Sequence, residues 1–367
     1  MVRKLAPALA LAAALPALVG AEAPPVRVAR CPGADLTRAM PAIVALRRDP
    51  GTRALLVLVD GCPALTAYAP GYSDANRIIS WSMAKTVTAM LVGVLVSDGR
   101  LSLDAPAPIA EWRRPGEPRG RITLRDLLQM RSGLRHTEVG NPIENSDTNQ
   151  ALFVHGTNAV AAYAIGQPLE AAPGTRYEYS SLTTVILSEI VTRTLTPSRD
   201  PRVRARAYRG FAQARLFGPA GVTSAVLEFD GAGTQIGGSI IRMTLADWGR
   251  MGLLLLDGRN AEGQEVIAPA WLAVMKAPSP TNAEYGGQTW LNRPSGVEAK
   301  NAMFPSAAPT VAAMRGHLGQ LVVADPAGQG RRGTVVVRLG HNPDAALGPV
   351  FRDMDALVAA LEKNPAR

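Results

Sequence analysis

Ser82-Met83-Ala84-Lys85, followed by TVTAMLVGVLVSDG (86–99), decides how this chain is read. Apolar residues fill almost every position after Lys85, which predicts a helix buried on all sides and stopped by Gly99. The lysine at its entrance stands out, because only five lysines occur in 367 residues. At i and i+3 of a first helical turn, the Lys85 ammonium reaches the Ser82 hydroxyl. The positive potential of a helix N-terminus stabilises a developing alkoxide and disfavours a second positive charge. Lys85 must therefore find a carboxylate or lower its pKa to survive burial. A lysine neutral near pH 7 is the base that a serine nucleophile lacks. The competing reading is plainer: Ser82 only caps the helix, and Lys85 reaches out to solvent.

Outward from this helix, the chain divides into β-rich ends around a helical middle. Residues 54–60 (ALLVLVD) form a continuous apolar run bounded by Gly61-Cys62-Pro63, and 64–68 supply a partner strand for a hairpin. From about 101 to 265 the pattern is mostly helical. Thr123 with Asp126 opens a helix over 124–130, closed by Gly133; Thr244 with Asp247 opens another over 245–256, closed by Gly258. Strands return at 320–324 and 334–339, and an amphipathic helix over 350–362 ends the chain. The expected fold is α/β of the α+β kind: an antiparallel sheet built from both chain ends, flanked by helices, with the helical region inserted.

Two further stretches carry chemistry. PGTRYEYSS (173–181) leads into the helical run LTTVILSEIV and delivers Tyr179 at a helix entrance. A phenol held beside a lysine can pass the serine proton to a leaving group. RGHLGQ (315–320) opens a strand, where Gly316 and Gly319 let a substrate lie close to the edge. A backbone N–H there can complete an oxyanion hole with the N–H of Ser82.

Taken together, the three stretches resemble the penicillin-recognising serine hydrolases: DD-peptidases, class C β-lactamases and their esterase and amidase relatives. That pattern runs S-x-x-K, then Y-x-N or Y-x-S, then K/H-x-G, matched here at 82, 179 and 317. ITLRDLLQMRSGL (122–134) and the pair RGHLGQLVVADPAG with GTVVVRLG add matching segments in the same order. The resemblance implies Ser82 as acyl-accepting nucleophile, Lys85 as base and Tyr179 as proton shuttle. It places the N–H groups of Ser82 and Gln320 in the oxyanion hole, with Ser181, Arg315, His317 and Gly319 binding substrate. Ser181 stands where the lactamases carry Asn and His317 where they carry Lys, and Arg315 cannot reproduce that lysine's geometry. The Y-x-S and H-x-G combination looks more like 6-aminohexanoate-dimer hydrolases and related esterases. A class A reading through Ser146-Asp147-Thr148 is weaker, since its third residue is wrong.

Composition narrows the field. Aromatics make up 5% and the net charge is +9, yet the Arg-rich stretches around 113–121 and 199–209 lack interleaved aromatics or a nucleic-acid motif. They read as solvated basic faces, and no nucleic-acid partner is expected. The four histidines, His136, His155, His317 and His341, show no zinc-site spacing, and no G-x-S-x-G elbow occurs. Neither metal nor cofactor is expected; the expected partner is a small ester or amide, and oligomeric state is not legible. The alternatives are a class C-type β-lactamase, a DD-peptidase, or a penicillin-binding scaffold with little turnover.

The first residues pair Arg3 and Lys4 with an apolar run to Val19 and small residues at Val19-Gly20-Ala21, which reads as a signal peptide over 1–21. The mature hydrolase then spans 22–367, periplasmic or secreted in a bacterium, with no stable membrane insertion once the leader is cleaved. An uncleaved anchor is the alternative. In an oxidising compartment Cys31 and Cys62 can form a disulfide; otherwise they are two buried thiols.

Overall fold

The computed structural model describes residues 26–295, 302–326, 328 and 332–362, so the expected signal peptide over 1–21 lies outside the described residues. Strand β1 (Arg27–Val28) and helix α1 (Met40–Arg48) precede the hairpin β2 (Thr52–Val59) and β3 (Cys62–Tyr68). Strand β4 (Ile78–Ile79) and a 3-10 turn at Trp81–Met83 lead into helix α2 (Ala84–Ser97). Then come α3 (Leu124–Leu128), the single turn α4 (Asp147–Asn149), α5 (Val160–Gly166), α6 (Ser181–Leu195) and α7 (Pro201–Ala212). Strands β5 (Val226–Leu227) and β6 (Ile241–Met243) precede α8 (Leu245–Asp257) and α9 (Pro269–Lys276). The chain returns through β7 (Trp290–Leu291), β8 (Ala312–Gly316), β9 (Gln320–Pro326) and β10 (Gly333–Gly340) to α10 (Leu347–Glu362).

The main sheet has seven antiparallel strands in the order β1-β3-β2-β10-β9-β8-β7. Its centre joins the two chain ends: Val57 of β2 faces Val336 of β10. Both faces are covered, which is why these strands are mostly apolar rather than alternating. Leu55, Val57 and Val336 face one core with Ile43 and Leu46 of α1 and Leu357 and Leu361 of α10. Leu56, Leu58, Val335 and Val337 face the other, with Trp248, Met251 and Leu255 of α8 and most of α2. The expected α+β architecture is the one found.

The helical middle differs in detail. It holds β5 and β6, which join β4 in a small three-stranded sheet that the helical periodicity did not show. Two-residue pairings are too short to leave an alternating signature. The Thr123–Asp126 capping box forms as expected, but α3 stops at Leu128 and Met130 takes a φ of 55°. At α8 only half of the expected pair forms. Thr244 accepts from the Asp247 N–H, while the Asp247 carboxylate turns to Ser224 and the N–H of Thr223.

Cys31 and Cys62 are bridged, with Cα atoms 5.7 Å apart, tying the segment after β1 to the β2–β3 hairpin. Replacing both by serine should lower unfolding free energy by about 3–4 kcal/mol, the loop-entropy expectation for this separation. Urea denaturation of the two proteins checks it. A loss well under 1 kcal/mol would mean that the unfolded chain gains little freedom from losing the bridge.

Candidate active site

The turn that presents Ser82 is fixed before the helix begins. Ser80 pairs with β6 through its backbone, donating to the Ile241 carbonyl at 2.8 Å, and its hydroxyl accepts from the Ile241 N–H at 3.1 Å. Trp81 adopts a φ of 44°, a left-handed conformation unfavourable for a bulky residue. Gly316 of β8 lies so close that a Cβ there would sit 2.2 Å from the Ser80 carbonyl oxygen. Only glycine lets the strand approach the nucleophile's turn this closely. Ser82 makes no capping bond, and the plainer reading of it as a helix cap does not hold.

Lys85 does not reach solvent. It is 1% exposed, and its Nζ donates to three oxygens: Ser82 Oγ at 2.9 Å, Ser181 Oγ at 2.7 Å and the Gly238 carbonyl at 2.8 Å. Three acceptors match the three ammonium hydrogens. Burial pushes its pKa down to about 8, and the Glu138 charge opposes that fall. Gly238 can lie here because it has no side chain; a Cβ would stand 2.3 Å from the Ser181 carbonyl oxygen.

Tyr179 precedes α6, where Ser180 caps the helix by accepting from the Leu182 N–H at 3.1 Å. Its ring centroid lies 4.8 Å from Lys85 Nζ, 5.7 Å from Tyr285 and 5.4 Å from Trp290. Burial and the Glu138 charge raise the phenol's pKa, while Ser82 and Arg315 oppose the rise. A neutral phenol beside a lysine can both accept and donate a proton hydrogen bond, which suits relay chemistry.

The remaining sequence-derived residues fall into two groups. Ser181 belongs to the buried centre: its hydroxyl accepts from Lys85 and donates to Glu138 Oε1 at 2.7 Å. Arg315 stacks on Trp290 and Phe351, with its guanidinium carbon 5.5 and 4.9 Å from the ring centroids. His317 is half-exposed, in edge contact with Trp81 and 3.8 Å from Asp344. Gln320 closes the β8–β9 hairpin opposite Gly316, and its side chain is exchanged with the Gly340 backbone. Gly319 lies at that turn with a φ of 80°, against Arg338 and Leu347.

Glu138, Gly238 and the pair Tyr285–Trp290 were not singled out from sequence. Glu138 follows the S-G-L segment by four residues, and Gly238 sits in the Gly237-Gly238 pair; only those faint signals were present. No group of three or more His, Cys, Asp or Glu able to hold a metal occurs among the described residues.

A serine hydroxyl bonded to a buried lysine, beside a phenol and over an antiparallel sheet, defines a serine hydrolase. The β-lactamase family profile matches residues 41–350, and the chain belongs to that family. Its fold is similar to a putative 6-aminohexanoate-dimer hydrolase from Bacillus anthracis, 19% identical over 92% of this chain and 89% of that one, with a TM-score of 0.69. It is also similar to a family VIII carboxylesterase, 15% identical over 92% and 100% of the two chains, at 0.64. A penicillin-binding protein homologue from Caulobacter crescentus, 16% identical over 92% and 99%, gives 0.64. No curated protein sequence matches the chain.

Proposed function

We propose that this hydrolase is exported and cleaves small esters or simple amides through an acyl-enzyme, with Ser82 as nucleophile, Lys85 as base and Tyr179 as proton shuttle. The observation that carries the reading is the 2.9 Å bond between Ser82 Oγ and a Lys85 buried enough to have its pKa near 8. In its neutral form Lys85 takes the Ser82 proton as the alkoxide attacks the acyl carbon. The Tyr179 hydroxyl returns a proton to the leaving group, and water then releases the acyl chain by the reverse route. The oxyanion is held by backbone N–H groups, one of them from Ser82. The resemblance assigns the second to Gln320. The signal-like leader and the bridged cysteines support export. Among the described residues no helix is long and apolar enough to cross a membrane.

Small esters are favoured over penicillins and cephalosporins because two antibiotic contacts are missing. Ser181 is spent between Lys85 and Glu138, and His317 is an exposed ring rather than a fixed ammonium. Each lost hydrogen bond to a polar or charged group costs about 1–3 kcal/mol. Two such losses lower efficiency by about one to four powers of ten. A panel of a short-chain nitrophenyl ester, a linear ω-amino-acid dimer, a D-Ala-D-Ala peptide and a chromogenic cephalosporin tests this on mature protein. Cephalosporin efficiency equal to the ester's would install the class C lactamase reading instead.

A further inference from the structure

The geometry points to Glu138 as a positioning residue for this reaction: its carboxylate fixes the Ser181 hydroxyl against Lys85 and couples a negative charge to the base. The inference rests on the Ser82–Lys85 reading above and adds a fourth member to it. A continuous hydrogen-bonded chain runs from Ser82 Oγ through Lys85 Nζ to Ser181 Oγ and on to Glu138 Oε1, with links of 2.9, 2.7 and 2.7 Å. Glu138 Oε2 is held as well, by the Ser181 N–H at 2.6 Å and the Thr148 hydroxyl at 2.7 Å. The carboxylate thus grips Ser181 by both its backbone and its side chain. The serine hydroxyl must then spend its hydrogen on Glu138, which leaves its lone pairs for Lys85. A serine without that acceptor could rotate and offer Lys85 a hydrogen instead, displacing the ammonium from its bond to Ser82.

The placement also sets a charge balance. Glu138 favours the ammonium form of Lys85, while burial disfavours it. His136, Glu178, Tyr179 and Tyr285 also feel the Glu138 charge, and Asp147 and Arg135 act on His136. Burial lowers His136, and both tyrosines are raised above the ordinary phenol value. Arg315 acts on Tyr179, and His317 lies in edge contact with Trp81, the chain neighbour of Ser82. Of the groups in direct contact with Ser82, Lys85 is therefore the one that loses its proton near pH 8.

The test is the pH profile of kcat/KM for a short-chain nitrophenyl ester with wild type, Glu138→Gln, Glu138→Ala and Glu138→Asp. With the negative charge removed, desolvation acts unopposed, Lys85 releases its proton more easily, and the ascending limb moves to lower pH. A shift of about one unit is expected for loss of a nearby opposite charge. The plateau should fall about tenfold or more, the scale of a misoriented general base. Glu138→Asp keeps the charge, so its limb stays at the wild-type position even where its rate is lower. If the glutamine variant does not fold by circular dichroism, the alanine variant reads the same limb without an amide facing the donors. A limb that stays in place in a folded, charge-free variant overturns the proposal, whatever its rate. Failure of the underlying reading looks different: Ser82 would then not be the residue labelled by a fluorophosphonate probe in wild-type protein.

Discussion

Ser82→Ala should yield a folded protein whose turnover is lost by about four powers of ten or more, the scale seen when a hydrolase nucleophile is removed. The hydroxyl caps nothing and is half-buried; it is hydrogen-bonded to Tyr179 and accepts a bond from Lys85. Losing that bond costs about 1 kcal/mol of stability, because Lys85 keeps Ser181 and Gly238 as acceptors. Ester hydrolysis by the purified variant, with a thermal melt alongside, gives both halves of the expectation. A well-folded variant that retained several per cent of the wild-type rate would remove Ser82 from the chemistry.

Lys85→Met should be inactive by about two to four powers of ten, the range for removing a positioned base, yet it should not be much less stable. Folding lowers the lysine's pKa from 10.5 to about 8. Between those values the unfolded chain holds a proton that the folded chain has released, so stability rises with pH across that window. Below pH 8 the full burial penalty is present, about 3 kcal/mol at 1.4 kcal/mol per unit. Methionine removes that penalty but leaves the Gly238 carbonyl without its donor, a cost of about 1–3 kcal/mol. The two nearly cancel at pH 7. Lys276, also lowered to about 8, contributes its rise between pH 8 and 10.5 to both proteins. Chemical denaturation at pH 7 and pH 10 therefore isolates Lys85: the wild type should gain stability relative to the variant as the pH rises. A difference independent of pH would mean that Lys85 does not lose its proton in that range.

The sequence by itself determined the frame. The apolar run ALLVLV (54–59) and the stretch TVVVRL (334–339), apolar but for Thr334 and Arg338, specify central strands, because a strand covered on both faces needs no polar alternation. The apolar stretch after Lys85 specifies a helix with no solvent face, and residues 84–95 are all buried. Ser82, Lys85 and Tyr179 were legible for a local reason: an i, i+3 pair and a tyrosine at a helix entrance are set by short stretches of chain.

Only the tertiary structure decided what surrounds them. Glu138 meets Ser181 across 43 residues, Gly238 meets Lys85 across 153, and Gly316 meets Ser80 through the sheet edge. Sequence also left open whether Lys85 would find a carboxylate or lower its pKa, and the fold does both, placing Glu138 one serine away while burying the ammonium. Spacing along the chain predicts contacts within a turn of helix, where geometry is fixed by the backbone repeat. Contacts between distant segments depend on which faces pack together, and a lone Glu or Gly carries no periodicity from which that packing could be read.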